Sequence, residues 1–275
     1  MTILVNHQAI ETFNFPGGEC HIKLPSSNIT EKTDILADLK NSDDIMRLLL
    51  SVDAVRRINP QTNIDLTIPH FPYARQDRVC NQCEALSVKV MTNAINNLHC
   101  TSVTIFDPHS DVTPALLNNC KVVTQADIIT NCFLANEILD KSLTLVSPDA
   151  GAEKKIQAVI KKIASDKKSV DVIFASKKRD TLTGKIISTN IYDDVKNKNL
   201  MIIDDICDGG KTFIELAKLL KTLGANNIYL YVTHGIFSKG LDVLRENFNH
   251  VYCCHTMLEL SEIDNEFLTI IRVSQ

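Results

Sequence analysis

The 275-residue sequence lacks three features that would point to particular classes of protein. No apolar run approaches the ~18 residues that a membrane-spanning helix needs. The segment 1–14 has no basic stretch followed by an apolar one, so it does not resemble a signal peptide. Basic residues are not in excess, because the net charge is −4, and nothing indicates general binding to nucleic acid or to a membrane surface. We therefore predict a cytoplasmic protein.

The nine cysteines show no pattern of a disulfide or zinc framework. They are odd in number and most lie in apolar segments, which is typical of reduced core cysteines. The exception is the pair Cys80 and Cys83, which forms a single CxxC motif. A zinc site needs about four ligands, and neither a second CxxC motif nor a spaced histidine pair completes one. We therefore assign neither a metal nor a redox role to this pair.

Short apolar runs rich in Ile, Val, Leu and Thr alternate with stretches of helical periodicity. The predicted strands are Ile64–Pro69, Ser102–Phe106, Leu143–Ser147, Val170–Ala175, Leu200–Ile203 and Ile228–Val232. The predicted helices are Leu86–Leu98, Gly151–Ala164 and Lys211–Leu223. This alternation predicts an α/β protein with parallel sheets. The length allows two domains, which we place at 1–128 and 129–275.

Charged side chains follow several of the predicted strands. Asp107-Pro108-His109 comes after one strand, Lys177-Lys178-Arg179 after another, and Asp204-Asp205 after a third. Ligands of open α/β sheets bind beyond the carboxyl ends of the strands. Acids and histidine suit a divalent cation, whereas Lys and Arg suit phosphate oxygens. The sequence therefore predicts a site for a metal-bound polyphosphate.

The stretch Asp204–Thr212 ends in Gly-Lys-Thr, as the phosphate-binding loop of many ATPases does. That loop also needs a glycine five residues before the glycine that precedes its lysine, because the chain turns tightly there. Asp205 stands at this position, beside Asp204. Two carboxylates would repel a triphosphate unless a metal or ribose hydroxyl groups lay between them. We therefore predict a phosphate-bearing ligand that is bound in a different manner.

Six segments occur in one order and at compatible spacings. They are FPYARQDR at 71–78, DPHS at 107–110, SPDAG at 147–151, KKR at 177–179, DDICD at 204–208 and THGIFS at 233–238. Together they resemble the ribose-phosphate diphosphokinases, also called phosphoribosyl pyrophosphate (PRPP) synthetases. The resemblance implies two phosphoribosyltransferase-like (type I) α/β domains with the active site between them. It also implies a reaction of nucleotide biosynthesis, in which the β,γ-diphosphoryl group of Mg-ATP moves to the 1-hydroxyl of ribose 5-phosphate and AMP is released.

The resemblance implies a role for individual residues at each substrate site. The residues that match the ATP contacts are Phe15, Gly17, Gly18, Glu19, Arg75, Gln76 and His109. Those that match the ribose-phosphate contacts are Asp149, Arg179, Asp204, Asp205, Asp208, Gly209, Gly210, Lys211 and Thr212. Asp204 and Asp205 would face the ribose hydroxyls, and backbone N–H groups of 208–212 at a helix N-terminus would hold the 5-phosphate. The two glycines would let the backbone approach that phosphate closely.

The resemblance further implies the catalytic groups, the metal and the assembly. Lys177 and Arg179 match the basic residues that stabilise the diphosphoryl group in transit. His109 and Asp149 match the Mg²⁺-binding positions on the nucleotide and ribose sides. The segment Val79–Ala85 would be a mobile loop that covers ATP. We also expect a homo-oligomer, because the ATP site of the family draws on a neighbouring subunit.

Three departures from the family pattern leave alternatives open. Gly17 stands where the family usually has Asp, and too few residues precede Phe15 for the family's first strand and helix. Lys211 is an added cation in the phosphate loop. It favours an alternative acceptor with a second phosphate, such as ADP-ribose. Two further alternatives are a phosphoribosyltransferase, which leaves the segment Tyr73–Arg78 and His109 unexplained, and a non-catalytic regulatory relative.

Overall fold

The chain forms two compact units, Met1–Val123 and Thr124–Gln275, in the computed structural model. The structure describes residues 3–25, 29–164, 169–179 and 186–273. The division between the units falls a few residues earlier in the chain than the boundary that we expected from the sequence. The reason is a capping box: the Thr124 side chain accepts a hydrogen bond from the Asp127 backbone, and the Asp127 side chain accepts one from the Thr124 backbone. A helix of the second unit therefore begins here.

The first unit is built on a six-stranded sheet with the order β2-β1-β5-β6-β7-β8. Its strands, with those of a separate hairpin β3–β4, are β1 (Ile3–Val5), β2 (Gln8–Ala9), β3 (Glu11–Asn14), β4 (Cys20–Lys23), β5 (Lys32–Ala37), β6 (Asn63–Ile68), β7 (Ser102–Phe106) and β8 (Cys120–Val123). Its helices are α1 (Ser42–Ile58), α2 (Ser87–Asn96) and α3 (Val112–Leu116). Strands β5 to β8 are parallel, so their carboxyl ends lie at one edge of the sheet.

We expected the residues before Phe15 to be too few for the family's first strand and helix, and this expectation was wrong for a strand, because β1 lies there. Strand β1 pairs antiparallel with β5, and Leu4 lies opposite Leu36. Ile3 and Val5 are buried in the core of this unit, so hydrophobic burial holds this short strand in the sheet. The described residues 3–14 contain no helix before Phe15; a turn and the short strand β2 connect β1 to the hairpin instead.

The second unit is built on a six-stranded, entirely parallel sheet with the order β10-β9-β13-β14-β15-β16. Its strands, with those of a separate ribbon β11–β12, are β9 (Thr144–Ser147), β10 (Val172–Phe174), β11 (Ser176–Arg179), β12 (Ile186–Asn190), β13 (Leu200–Cys207), β14 (Ile228–Gly235), β15 (His250–Thr256) and β16 (Leu268–Ile270). Its helices are α4 (Gln125–Thr130), α5 (Leu134–Leu139), α6 (Ala150–Ile163), α7 (Lys211–Thr222) and α8 (Asp242–Arg245).

The predicted α/β class with parallel sheets is confirmed. Each of the six predicted strands and three predicted helices is present, with bounds that differ by a few residues. The central strands β13 and β14 are buried along nearly their whole length, as strands covered on both faces must be. Within the part of the chain that the structure describes, no helix is long and apolar enough to cross a membrane.

Candidate functional site

The carboxyl end of β13 carries the acid pair Asp204 and Asp205. The Asp205 carboxylate is buried and lies 3.4 Å from the ammonium group of Lys155, which is on α6. Gln125 of α4 donates a side-chain hydrogen bond of 2.8 Å to the Asp204 carbonyl oxygen. The Asp205 backbone N–H donates to the Asp204 carboxylate over 2.8 Å. Two helices and the strand itself therefore fix this pair.

The electrostatic surroundings favour a protonated form of Asp204. Burial raises the pKa of the Asp204 carboxyl group most, and the charges of Asp205 and Asp149 raise that pKa further. Asp149, at the end of the neighbouring strand β9, is therefore close enough to interact with the pair. A carboxyl group that holds a proton can both donate and accept hydrogen bonds, which suits a ligand with hydroxyl groups.

The loop that follows the acid pair leads directly into the N-terminus of α7. Gly210 has a φ of +74°, and a Cβ atom at this position would lie 2.8 Å from Cδ2 of Leu244. Both the backbone conformation and the close packing therefore require glycine. The N-cap residue of α7 is Gly210, which has no side chain to cap the helix, and backbone N–H groups at a helix N-terminus can bind an anion. Lys211 and Thr212 are the first two residues of this helix.

A second loop, residues 236–240 after β14, holds the first one in place. The backbone N–H groups of Ile236 and Phe237 donate to the Cys207 carbonyl oxygen over 2.8 and 3.1 Å. The Ser238 hydroxyl group donates to the Asp208 carboxylate over 2.6 Å. The motif THGIFS pointed to this region, but its sequence did not reveal that it supports the Asp204–Thr212 loop.

Asp149 caps the N-terminus of α6. Its carboxylate accepts backbone hydrogen bonds from Gly151 and Ala152 over 3.0 and 3.3 Å, and the side chain is half-buried. Among the described residues, no group of three or more His, Cys, Asp and Glu side chains is arranged to hold a metal ion. Magnesium sites often use one or two carboxylates together with substrate phosphates. Asp149 therefore fits a magnesium site to which a substrate also contributes.

The two predicted catalytic residues, Lys177 and Arg179, lie on β11. This strand pairs antiparallel with β12, so that Lys177 lies opposite Thr189 and Arg179 lies opposite Ile186. The pairing register shifts between Lys178 and Arg179. The side chains of Lys177 and Arg179 lie outside the part of the chain that the structure describes, so their predicted role stays a prediction.

In the first unit, Phe15, Gly17, Gly18 and Glu19 form the turn of the hairpin β3–β4. The Phe15 backbone N–H donates to the Glu19 carbonyl, and the Gly18 N–H donates to the Phe15 carbonyl, both over 2.8 Å. The Phe15 side chain is 47% exposed, and its ring contacts Phe13 edge-on with 5.3 Å between the centroids. The exposed part of the ring is accessible to a stacking ligand, and the predicted adenine contact stays a prediction.

Arg75, Gln76 and His109 follow the carboxyl ends of the adjacent parallel strands β6 and β7. All three are exposed. Tyr73 has a φ of +62°, and its carbonyl oxygen accepts a hydrogen bond of 3.0 Å from the Gln76 backbone N–H. Arg75 and Gln76 therefore lie on a tight turn. Asp107 is buried with a φ of +35°. The structure therefore brings these predicted ATP contacts to one edge of the first sheet.

The predicted loop Val79–Ala85 contains a turn that is organised by Glu84. Its carboxylate accepts backbone hydrogen bonds from Cys80 and Asn81 over 3.2 and 3.0 Å and a side-chain hydrogen bond from Asn81. The hydrogen bond from the Asn81 side chain is the main cause that lowers the pKa of Glu84.

The cysteines differ in exposure, and Cys80 and Cys83 are exposed. By contrast, burial raises the pKa of Cys100 to about 11 and that of Cys207 to about 12, as in unreactive core thiols.

Comparisons with known proteins agree with this architecture. The family model described as "N-terminal domain of ribose phosphate pyrophosphokinase" matches residues 2–98, and that described as "Phosphoribosyl transferase domain" matches residues 125–268. The chain is 32% identical over 233 residues to a ribose-phosphate pyrophosphokinase of Thermococcus kodakarensis, covering 84% of this chain and 79% of the relative. It is 29% identical over 238 residues to that of Mycoplasmopsis pulmonis, covering 84% and 71%.

The fold has a counterpart among solved structures. The crystal structure of phosphoribosylpyrophosphate synthetase from Mycobacterium smegmatis matches with a TM-score of 0.78 and 20% sequence identity. The match covers 96% of this chain and 86% of that one. At this identity the likeness shows the fold: two α/β domains with parallel sheets.

Proposed function

Since this chain belongs to the ribose-phosphate pyrophosphokinase family, we propose that it transfers the β,γ-diphosphoryl group of Mg-ATP to the 1-hydroxyl of ribose 5-phosphate. The products are PRPP and AMP. The single observation that carries this proposal is the continuous arrangement from Asp204 to Thr212, in which a fixed acid pair leads through two glycines into the N-terminus of α7. It combines groups for ribose hydroxyls with groups for a phosphate.

We propose that the second unit binds the acceptor, ribose 5-phosphate. Asp204 and Asp205 hydrogen-bond to the ribose hydroxyls, and the backbone N–H groups that lead into α7 bind the 5-phosphate. Because the loop is already fixed by its bonds to residues 236–238, little conformational entropy is lost when the phosphate binds. The acceptor hydroxyl is thereby oriented for attack, which is the main requirement of phosphoryl transfer.

The donor and the transferred group use the remaining predicted residues. The ATP site consists of Phe15, Gly17, Gly18, Glu19, Arg75, Gln76 and His109. Lys177 and Arg179 stabilise the negative charge of the diphosphoryl group as it passes from the α-phosphate oxygen of ATP to the 1-hydroxyl oxygen of the ribose. Magnesium would be held by His109 on the nucleotide side and by Asp149 on the ribose side. When bound, it neutralises phosphate charge and orients the phosphate oxygens.

A second candidate acceptor is favoured by Lys211. This lysine is the first residue of α7, and its side chain is 85% exposed, 3.9 Å from Glu215. In this alternative, the Lys211 ammonium group would bind the second phosphate of an acceptor such as ADP-ribose. The donor chemistry is the same for both acceptors, so the choice between them concerns the acceptor site alone.

A product assay tests the proposed function. The full chain is incubated with Mg-ATP and ribose 5-phosphate, and the nucleotide and sugar products are identified by chromatography and mass spectrometry. AMP and PRPP in equal amounts are expected, and chelation of Mg²⁺ with EDTA should stop their formation. ADP as the nucleotide product would mean that a single phosphoryl group is transferred, and the proposal would then be wrong.

The proposed assembly is a homo-oligomer without nucleic-acid or membrane partners. Light scattering on the purified chain measures the molar mass directly. A mass of at least twice the 30.7 kDa of one chain is expected, and a monomer that retains activity would contradict this part of the proposal.

A further inference from the structure

A lysine that the sequence did not single out lies beside the phosphate loop. Cδ and Cε of Lys239 are each 3.5 Å from the position that a Cβ atom on Gly209 would occupy. This is ordinary van der Waals distance. The aliphatic part of Lys239 therefore covers the face of the loop where Gly209 has no side chain, and its ammonium group is bonded directly to the Cε atom that lies there.

The backbone at Lys239 is held in a defined position. The Gly240 N–H donates to the Phe237 carbonyl over 2.8 Å, which closes a turn with Ser238 and Lys239 at its centre. Gly240 has a φ of +72°, and Ser238 is bonded to Asp208. The turn and the phosphate loop are thus joined, and the position of Lys239 relative to Gly209 follows from these bonds.

Lys211 and Lys239 therefore both lie at the Gly209-Gly210 turn. Lys211 follows Gly210 in the chain, and Lys239 contacts Gly209 from the second loop. Both lysines are exposed. The backbone N–H groups at the start of α7 suffice for one phosphate. The Lys211 ammonium group is 3.9 Å from the Glu215 carboxylate, and both side chains are exposed. Together with Lys239 it can supply positive charge to a second phosphate, because lysine binds phosphate as a point charge.

We propose that Lys239 is a phosphate-contacting residue of the acceptor site, and that with Lys211 it favours an acceptor whose ribose carries a diphosphate over one that carries a monophosphate. This inference rests on the proposed function, because it assigns the acceptor to the loop of residues 208–212. It adds to that function a preferred acceptor class, the ribose 5-diphosphate esters, for which ADP-ribose is the probe.

The test compares two acceptors in matched variants of the full chain. Lys239→Met removes the positive charge but retains a long apolar side chain over Gly209. Lys211→Gly removes the positive charge of the other lysine. Lys218→Met is the control, because Lys218 lies on the exposed side of α7. The quantity measured is kcat/KM for ADP-ribose divided by kcat/KM for ribose 5-phosphate, from AMP release. Lys239→Met should lower this ratio about tenfold, as expected for loss of one charge-assisted phosphate contact; Lys218→Met should leave it unchanged.

An unchanged ratio in Lys239→Met, or an equal loss with both acceptors, would overturn the proposal. Calorimetric titration of each variant with ADP-ribose and with ribose 5-phosphate gives a second readout that needs no turnover. Lys239→Met should weaken ADP-ribose binding about tenfold and ribose 5-phosphate binding less than about threefold. If the wild-type chain releases no AMP with either acceptor, the proposed function is wrong, while the titrations still decide the role of Lys239.

Discussion

Gly210 illustrates how one residue connects the backbone to the candidate site. Its positive φ and the 2.8 Å approach of Leu244 to a built Cβ leave no room for a side chain. The sequence predicted the position, because Gly-Gly before a helix resembled the phosphate loop of the family. It did not reveal Leu244 as the reason, since that contact is made only after α8 has packed against the loop.

Gly210→Ala should destabilise the chain. The added methyl group combines backbone strain with a steric clash, and we expect a loss of about 2 kcal/mol in the free energy of unfolding. Urea denaturation followed by circular dichroism measures it. Gly17→Ala is the matched control, because a Cβ atom there would meet no atom within 4 Å. Equal stability of the two variants would contradict this account of the loop.

Asp204 should make stability depend on pH. Its pKa in the folded chain lies above its unfolded value, so the folded state keeps a proton that the unfolded state has lost. Stability therefore falls as the pH rises from about 5 to about 8, by at most about 1.4 kcal/mol per pH unit. Asp204→Asn cannot titrate, so its stability relative to the wild type should increase over this range.

Urea denaturation of both chains at several pH values between these limits tests that prediction. Asp242→Asn, at a side chain that is 98% exposed, is the control for substitution of a carboxylate elsewhere. A stability difference between Asp204→Asn and the wild type that stays constant with pH would show that the acid pair does not hold a proton in the folded state.

At the scale of elements, the strands that the sequence predicted most readily are those that are buried on both faces of the sheet. Strands β7, β9, β13 and β14 appear in the sequence as short apolar runs because their surroundings are apolar. Helix α1 was not predicted, since the buried Asp44 and Ser51 interrupt its apolar face. Asp44 accepts a hydrogen bond from the Lys40 backbone and pairs with Arg47 at 3.1 Å, and only the folded structure provides these partners.

Ser238 tests whether one loop supports the other. Ser238→Ala removes the 2.6 Å hydrogen bond to Asp208 and should raise the KM for ribose 5-phosphate about tenfold, because the loop would have to be ordered when the substrate binds. The KM for ATP should not change. Steady-state kinetics with each substrate varied in turn measures both constants.

Ser238→Thr serves as the conservative control, because it retains the hydroxyl group and should preserve the wild-type KM for ribose 5-phosphate. If Ser238→Ala raised both KM values equally, the effect would be general, and the proposed support of the acceptor loop would be wrong.

At the scale of the whole molecule, the order of six motifs predicted the family, and the comparisons confirmed it. The roles of single residues are less accessible to sequence, because they depend on partners that are distant in the chain. Lys239 shows this most clearly: nothing in the sequence places it beside Gly209, thirty residues earlier. The departure at Lys211, in contrast, was visible because it interrupts a motif.

Lys177→Ala tests whether the predicted catalytic cation acts on the transferred group. The variant should lose about 100-fold or more in kcat, as expected when a preorganised charge is removed from a transition state. Its circular dichroism spectrum and its affinity for ribose 5-phosphate should match those of the wild type. Lys218→Ala is the control. Retention of more than about a tenth of the wild-type kcat would contradict the catalytic role of Lys177.

The most direct test of the central claim follows the β-phosphate of ATP. ATP labelled with ³²P at the β-position is incubated with the full chain, Mg²⁺ and, in parallel reactions, ribose 5-phosphate or ADP-ribose. The products are separated by chromatography. Diphosphoryl transfer predicts that the label leaves the nucleotide and appears in the ribose product together with unlabelled AMP. Label that remains in a nucleotide, as ADP, would contradict it.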